Sequence, residues 1–234
     1  MPRKSSRPAP ALVLFDIDGT LLRRAGPHHR EALVEAVRRT AGLETTTDHI
    51  PVQGMLDRDI LATMMRDAGA SATAIRRLMP EIVRSAQALY VRRCPDLRSK
   101  VCPGARALLE RLARRAIPAG LVTGNLSRIG WRKMERAGLR PYFRFGAFAE
   151  SAPDRASLVR LAIRRARAEG WIAPNARISL VGDHPNDVRA ARANGVRAIA
   201  VATGLSSREE LAAHDPDVLL PDLRSLKLEM LAVR

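Results

Sequence analysis

The chain has 234 residues, 46% hydrophobic and 27% charged, which is enough to bury a core plus an insertion and too apolar for a disordered polymer. No apolar run approaches the roughly 18 residues that span a bilayer, and Met1-Pro2-Arg3-Lys4-Ser5-Ser6-Arg7-Pro8 lacks the apolar stretch of a secretion signal, so a cytoplasmic location without a membrane partner is expected. A net charge of +16 would suit nucleic acid, but the arginines are spread through nearly every predicted helix and aromatic residues make up only 3%, which argues against that partner.

Among the 40 basic residues the only lysines are Lys4, Lys100, Lys133 and Lys227, a bias of residue usage rather than a basic block. Cys94 and Cys102 form neither a disulfide framework nor a zinc site and read as free thiols near a domain junction.

The first predicted strand is Ala11-Leu12-Val13-Leu14-Phe15, a fully apolar run of the kind found at the centre of a parallel sheet. Helical patterns follow at 28–41, 58–68 and 72–93, broken by Gly42 and a Pro51–Gly54 loop. From residue 100 strands are predicted at 118–122, 143–148, 178–182, 197–202 and 217–221, with helices at 104–116, 127–138, 154–169, 186–194 and 206–213. The fold expected is α/β: a parallel-sheet, Rossmann-like core from 1–22 and 100–234, wrapped by helices, with a smaller all-helical cap at 23–99. Pro103-Gly104 marks the return to the core. Ligands in such sheets bind beyond the carboxyl ends of the strands, so an insertion after the first strand is placed to cover the site.

Asp16 and Asp18 directly follow the first strand, ahead of Gly19-Thr20. Two residues apart at a strand end, both carboxylates can point to one side, and their repulsion calls for a hard divalent cation with oxygen ligands, best magnesium. Asp-Ile-Asp-Gly could also serve only as a turn. After a later strand, Thr123-Gly124-Asn125 offers a hydroxyl and backbone N–H groups for phosphate oxygens, and it too could be a plain turn. Val181-Gly182-Asp183-His184-Pro185-Asn186-Asp187 ends a strand on Gly-Asp, with Asp187 at a helix start where its charge is favourable. His184 reads as a loop residue, not a ligand.

These pieces, in this order, resemble the motifs of the haloacid dehalogenase-like hydrolase superfamily, over about residues 11–222. The stretch Asp16-Ile17-Asp18-Gly19-Thr20-Leu21 is similar to its first motif, Thr123 to its second, and Asp183 with Asp187 to its fourth. The resemblance implies a magnesium-dependent phosphatase. Asp16 would be the nucleophile that forms an aspartyl-phosphate, and Asp18 the acid and base. Asp16, Asp18 through its carbonyl, and Asp183 would hold the metal, with Asp187 in support. The third motif departs from the family pattern, because no lysine lies between Lys133 and Lys227. Arg155 is the substitute proposed to join Thr123, Gly124 and Asn125 on the phosphate, unless it is a solvated helix residue; Lys133 is the other candidate.

The helical cap most resembles the phosphoglycolate phosphatase-like group and implies a small phosphorylated metabolite as substrate for a monomer or homodimer. Asp18 argues against a dehalogenase, and the lack of any lysine between Leu22 and Val101 except Lys100, at the junction, argues against phosphonate cleavage. A sugar phosphomutase of the same fold remains an alternative, as does a non-catalytic binding protein with a basic surface. In the cap, the turn Gly54-Met55-Leu56-Asp57-Arg58 is the candidate substrate contact, with a structural turn and a helix cap as the competing reading.

Overall fold

The computed structural model describes residues 8–23 and 26–231. Strand β1, Ala9–Phe15, runs up the middle of a six-stranded sheet and is buried from Ala11 onward. The chain then forms α1 (His28–Ala41), α2 (Asp57–Asp67) and α3 (Ala72–Arg93). It returns through α4 (Ala105–Arg114), β2 (Ala119–Val122), α5 (Ser127–Arg136) and β3 (Phe143–Ala147). It ends with α6 (Arg155–Ala168), β4 (Ile172–Gly182), α7 (Pro185–Ala193), β5 (Arg197–Val201), α8 (Arg208–Ala212) and β6 (Val218–Leu220). The strand order is β3-β2-β1-β4-β5-β6 and every pairing is parallel. This is the Rossmann-like α/β sheet expected of alternating strands and helices.

Register explains how distant motifs meet. Phe15 pairs with Leu121 on β2 and with Val181 on β4. One or two residues beyond that shared level come Asp16, Thr123 and Asp183, so all three leave the sheet at the same edge. The backbone is anchored there as well: Asp16 N–H donates to Val181 O at 3.0 Å and Thr123 N–H to Ala147 O at 3.1 Å.

The chain leaves and re-enters this core at one place. Leu22 bridges Val101 in antiparallel fashion, Arg23 N–H donates to Lys100 O at 2.8 Å and Cys102 N–H to Leu21 O at 2.9 Å. Between these points α1 packs on α3, and α3 in turn on α5. Cys94 and Cys102 are buried free thiols; burial pushes the Cys102 thiol up to about 11.

Strand β4 is the main departure from the sequence pattern, starting at Ile172 rather than near 178. Its first half pairs with β1 only at Ala9 and Ile172 before the register shifts, and residues 174 and 175 are exposed. Pro174 cannot donate to a ladder, so this half carries no apolar strand signal. Helix α8 is shorter than the 206–213 pattern because Ser207 caps it, accepting Glu210 N–H at 3.1 Å. Among the described residues no helix is long and apolar enough to cross a membrane.

Candidate active site

The carboxyl ends of the strands and the α1–α2 region enclose a cavity of about 640 Å³. Asp16, Asp18, Thr123, Gly124, Asn125, Arg155 and Asp183 all line it, as does Lys133. Asp187 lies behind, buried, with oxygens of Asp16, Asp183 and Asp187 all within 4.8 Å of one another. Asp16 Oδ1 is shielded from solvent; Arg155 Nη1 is 3.3 Å away, yet Oδ1 has no hydrogen-bond partner.

Asp183 is fixed by Thr20, whose hydroxyl donates to Oδ1 at 2.8 Å. Its other oxygen is cradled by backbone: a Cβ on Gly19 would come within 2.0 Å of Oδ2, and one on Gly204 within 1.7 Å. Gly19 also adopts φ +86, so the turn after Asp18 needs glycine twice over. Burial, then the charges of Asp16 and Asp187, pushes the Asp183 carboxyl well above the usual carboxylate range. Burial raises Asp187 too, against the opposing pull of Arg155. A hard cation among these oxygens would remove the repulsion and give Asp16 Oδ1 a partner, so this donor set fits a metal such as magnesium.

Arg155 is 8% exposed, and its Nη1 donates to Asp187 Oδ1 at 2.8 Å. It is therefore not a solvated helix residue. Burial works against its charge, but Asp187 and Asp16 outweigh it and keep the guanidinium protonated. Asp187 has two duties, since its Oδ2 also accepts His184 N–H at 3.2 Å in the capping box that starts α7. His184 caps the same helix, its Nδ1 accepting Asn186 N–H at 3.1 Å. Burial and Arg155 hold its pKa below the ordinary histidine value.

The carboxylate of Asp18 faces a different group. Lys133 Nζ is 2.6 Å from Oδ2 and 2.8 Å from Oδ1, and it also donates to Asn125 Oδ1 at 2.6 Å and to His29 Nδ1 at 3.2 Å. An ammonium can only donate, so His29 Nδ1 accepts and its Nε2–H points to Asp57 Oδ2, 3.0 Å away. Burial opposes ionisation of Asp18, but the charge of Lys133 and the hydrogen bonds from Lys133 and Asn125 bring its pKa below the ordinary value. Asn125 Nδ2 donates to Asp18 Oδ2 at 2.8 Å and to Thr123 Oγ1 at 2.7 Å, and Asn125 N–H reaches the same hydroxyl at 3.3 Å. The Thr123 hydroxyl thus accepts two hydrogens and keeps its own for a ligand oxygen.

The loop before α2 closes the cavity. Gln53, Gly54, Met55 and Asp57 line it, whereas Leu56 and Arg58 do not. Gly54 O accepts from Asn186 Nδ2 at 2.8 Å, Asp57 N–H donates to Gly124 O at 2.8 Å, and Asp57 Oδ2 accepts Leu126 N–H at 2.8 Å. Asp57 follows the N-cap residue Leu56 and is buried against the α5 side of the cavity, so it does more than start its own helix. Thr20 belongs to the first motif and its role is to hold Asp183. His29, on the first turn of α1, and Gly204, which acts through its backbone, carry no motif signal in the sequence.

Comparison with known proteins agrees with this geometry. The family model for haloacid dehalogenase-like hydrolases matches residues 10–195. A phosphoglycolate phosphatase of Synechococcus elongatus is 30% identical over 211 residues, covering 89% of this chain and 91% of the relative. One from Pseudomonas syringae pv. tomato is 28% identical over 93% of this chain and 78% of its own length. Among solved structures, CbbY from Rhodobacter sphaeroides, in complex with xylulose-(1,5)bisphosphate, superposes with a TM-score of 0.72 at 21% identity, covering 94% of this chain and 98% of that one. β-Phosphoglucomutase from Clostridium difficile gives 0.68 at 17% identity, with 96% of each chain covered. At these identities the two structures speak for the fold alone.

Proposed function

The chain belongs to the haloacid dehalogenase-like hydrolase family, in its phosphoglycolate phosphatase-like group, and on that premise we propose that it is a magnesium-dependent phosphatase acting on a small phosphorylated metabolite through an aspartyl-phosphate on Asp16. The observation that carries this reading is Asp16 itself: a buried carboxylate at the end of the central strand with an oxygen left without a hydrogen bond. It lies beside two further acids and one guanidinium. Such an arrangement is costly unless the oxygen has work to do.

Asp16 and Asp183, with the Asp18 carbonyl, would hold the metal, with Asp187 behind them. When bound, magnesium supplies positive charge that offsets the repulsion between the Asp16 carboxylate and the phosphate. The Asp16 oxygen attacks phosphorus while the bond to the substrate's leaving oxygen breaks, and the fraction of Asp18 that carries a proton gives it to that oxygen. Giving up the proton leaves Asp18 as the carboxylate that Lys133 and Asn125 already favour. In the second step Asp18 takes a proton from water as that water attacks phosphorus, which frees Asp16 and phosphate. Thr123 donates its hydroxyl hydrogen to a phosphate oxygen, and Arg155 balances charge beside the nucleophile.

Residues 23–99 act as the cap and 1–22 with 100–234 as the core. The contacts of Gly54 and Asp57 with Asn186 and Gly124 support closure of the cap onto the strand ends. Substrate choice then rests with Gln53, Gly54, Met55 and His29, which line the same cavity from the cap side.

Asp16→Asn should abolish magnesium-dependent release of phosphate from an aryl phosphate and from a panel of phosphorylated metabolites, while circular dichroism stays unchanged. A folded variant that keeps more than a few per cent of the rate would remove Asp16 from its role. A sugar phosphomutase would return an isomerised phosphate ester instead of free phosphate, so the same panel separates the two.

A further inference from the structure

A second cavity, of about 870 Å³, lies at the opposite end of the sheet. Arg160, Arg164, Arg167, Arg177, Arg192 and Arg197 make up six of its thirteen lining residues. They come from four elements: α6, β4, α7 and the first residue of β5. Arg197 pairs in register with Ser179, whereas Asp183 follows the other end of β4, so at about 3.3 Å per residue the two sites are roughly 13 Å apart along the strand.

Arginine is abundant throughout this chain, and basic residues in the last turns of α6 and α7 favourably meet the helix ends. That accounts for Arg167 and Arg192. It does not account for Arg177 and Arg197, which sit on strands, nor for the convergence of all six on one concavity. Arg192 is held by Asp215. Arg160, Arg164, Arg167 and Arg197 form no ion pair within 4 Å among the described residues. Among the described residues Asp217 is the only acid that lines the cavity, and it already accepts Ala198 N–H at 2.7 Å. A second observation points the same way: Arg197 Nε is shielded from solvent and has no hydrogen-bond partner. Like charges within a Debye length repel, and a shielded N–H without an acceptor carries a desolvation cost. An anion in the cavity relieves both.

We propose that this arginine cavity is a binding site for a ligand with two or more linked phosphates, held by bidentate guanidinium contacts and separate from the Asp16 site. Several converging guanidiniums suit several adjacent phosphates better than one. Among the described residues no aromatic side chain lines the cavity to offer a platform for stacking a base, so the phosphate chain is the part recognised. The inference is independent of the activity assigned to Asp16.

The test uses the full chain and titration calorimetry at physiological salt, with tripolyphosphate as the probe. Wild type should show a saturable event that the triple variant Arg164→Gln, Arg167→Gln, Arg197→Gln weakens at least about tenfold, with aryl phosphate turnover unchanged. Arg164→Glu alone, at an exposed position, should also weaken it, which keeps the test valid if the triple variant loses stability. Equal affinity for ATP assigns the chain of phosphates alone, and much tighter ATP assigns a nucleoside polyphosphate. Identical titrations for wild type and both variants would overturn the site. So would orthophosphate binding there as tightly as tripolyphosphate, or a short single-stranded RNA outcompeting both.

Discussion

Lys133 Nζ lies 2.6 Å from Asp18 Oδ2 across 115 residues of sequence, the lysine 1% exposed and the carboxylate 42%. The ammonium spends its donors on Asp18, Asn125 and His29 and so fixes the rotamer of the proposed acid and base. Lys133→Met should lower kcat about tenfold to a thousandfold. It should cost about 1–3 kcal/mol in urea denaturation, a modest figure because Asp18 is partly solvated. Lys133 depresses the Asp18 pKa, and Asp18 must carry a proton in the step that kcat/KM reports, so loss of the lysine should move the alkaline limb of that profile to higher pH. An unmoved limb would remove Lys133 from control of Asp18.

Arg155 joins Asp16 to Asp187 inside the protein. Arg155→Met leaves Asp187 without its cation, and breaking a buried pair in this way costs about 3–5 kcal/mol. Activity should fall by more than about a hundredfold. Arg155→Lys keeps the charge but loses the planar contact, and should recover most of the stability and part of the rate. Thermal melts beside initial rates decide this, and equal damage from both replacements would rule out a charge-based role.

The raised carboxyls of Asp183 and Asp187 give metal binding a pH signature. Their folded pKa values lie above the unfolded value of 3.8, so between those limits the metal-free native state binds more protons than the unfolded chain. Metal-free stability from these groups is therefore full at low pH and falls as pH rises from about 4 through the raised values. Metal displaces the retained protons. The rise in Tm on adding magnesium should accordingly be larger at pH 8 than at pH 5. A rise that is flat or shrinks with pH would contradict the assigned shifts.

Gly204 offers a steric probe of Asp183. Its φ is not in the left-handed region, so alanine costs little in backbone strain, but the new Cβ would sit 1.7 Å from Asp183 Oδ2. Gly204→Ala should raise the magnesium concentration for half-maximal activity at least about tenfold, with a folded spectrum by circular dichroism. Unchanged magnesium dependence would mean that Asp183 can swing clear without consequence.

Much of this site was legible because each motif is a short polar run after a buried apolar strand: Phe15 before Asp16, Val122 before Thr123, Gly182 before Asp183. Helices α1 and α3 were legible from their apolar period. Lys133 was legible as a candidate cation for the third motif, but not its partner: it pairs with Asp18 rather than Asp16, from the buried stripe of α5 that also carries Ile129, Gly130 and Met134. The first half of β4 was hidden by Pro174 and by contact with β1 at a single position, and Gly204 works through backbone placement that composition does not encode.

The bridge between Leu22 and Val101 has a further consequence. Because the inserted helices begin and end at adjacent positions, exchanging or resizing that segment leaves the sheet's connectivity and strand register untouched. If the inserted segment selects the substrate as proposed, evolution can vary that selection independently of the chemistry, and an engineer can graft a foreign segment between these two residues with Asp16, Thr123 and Asp183 still in place.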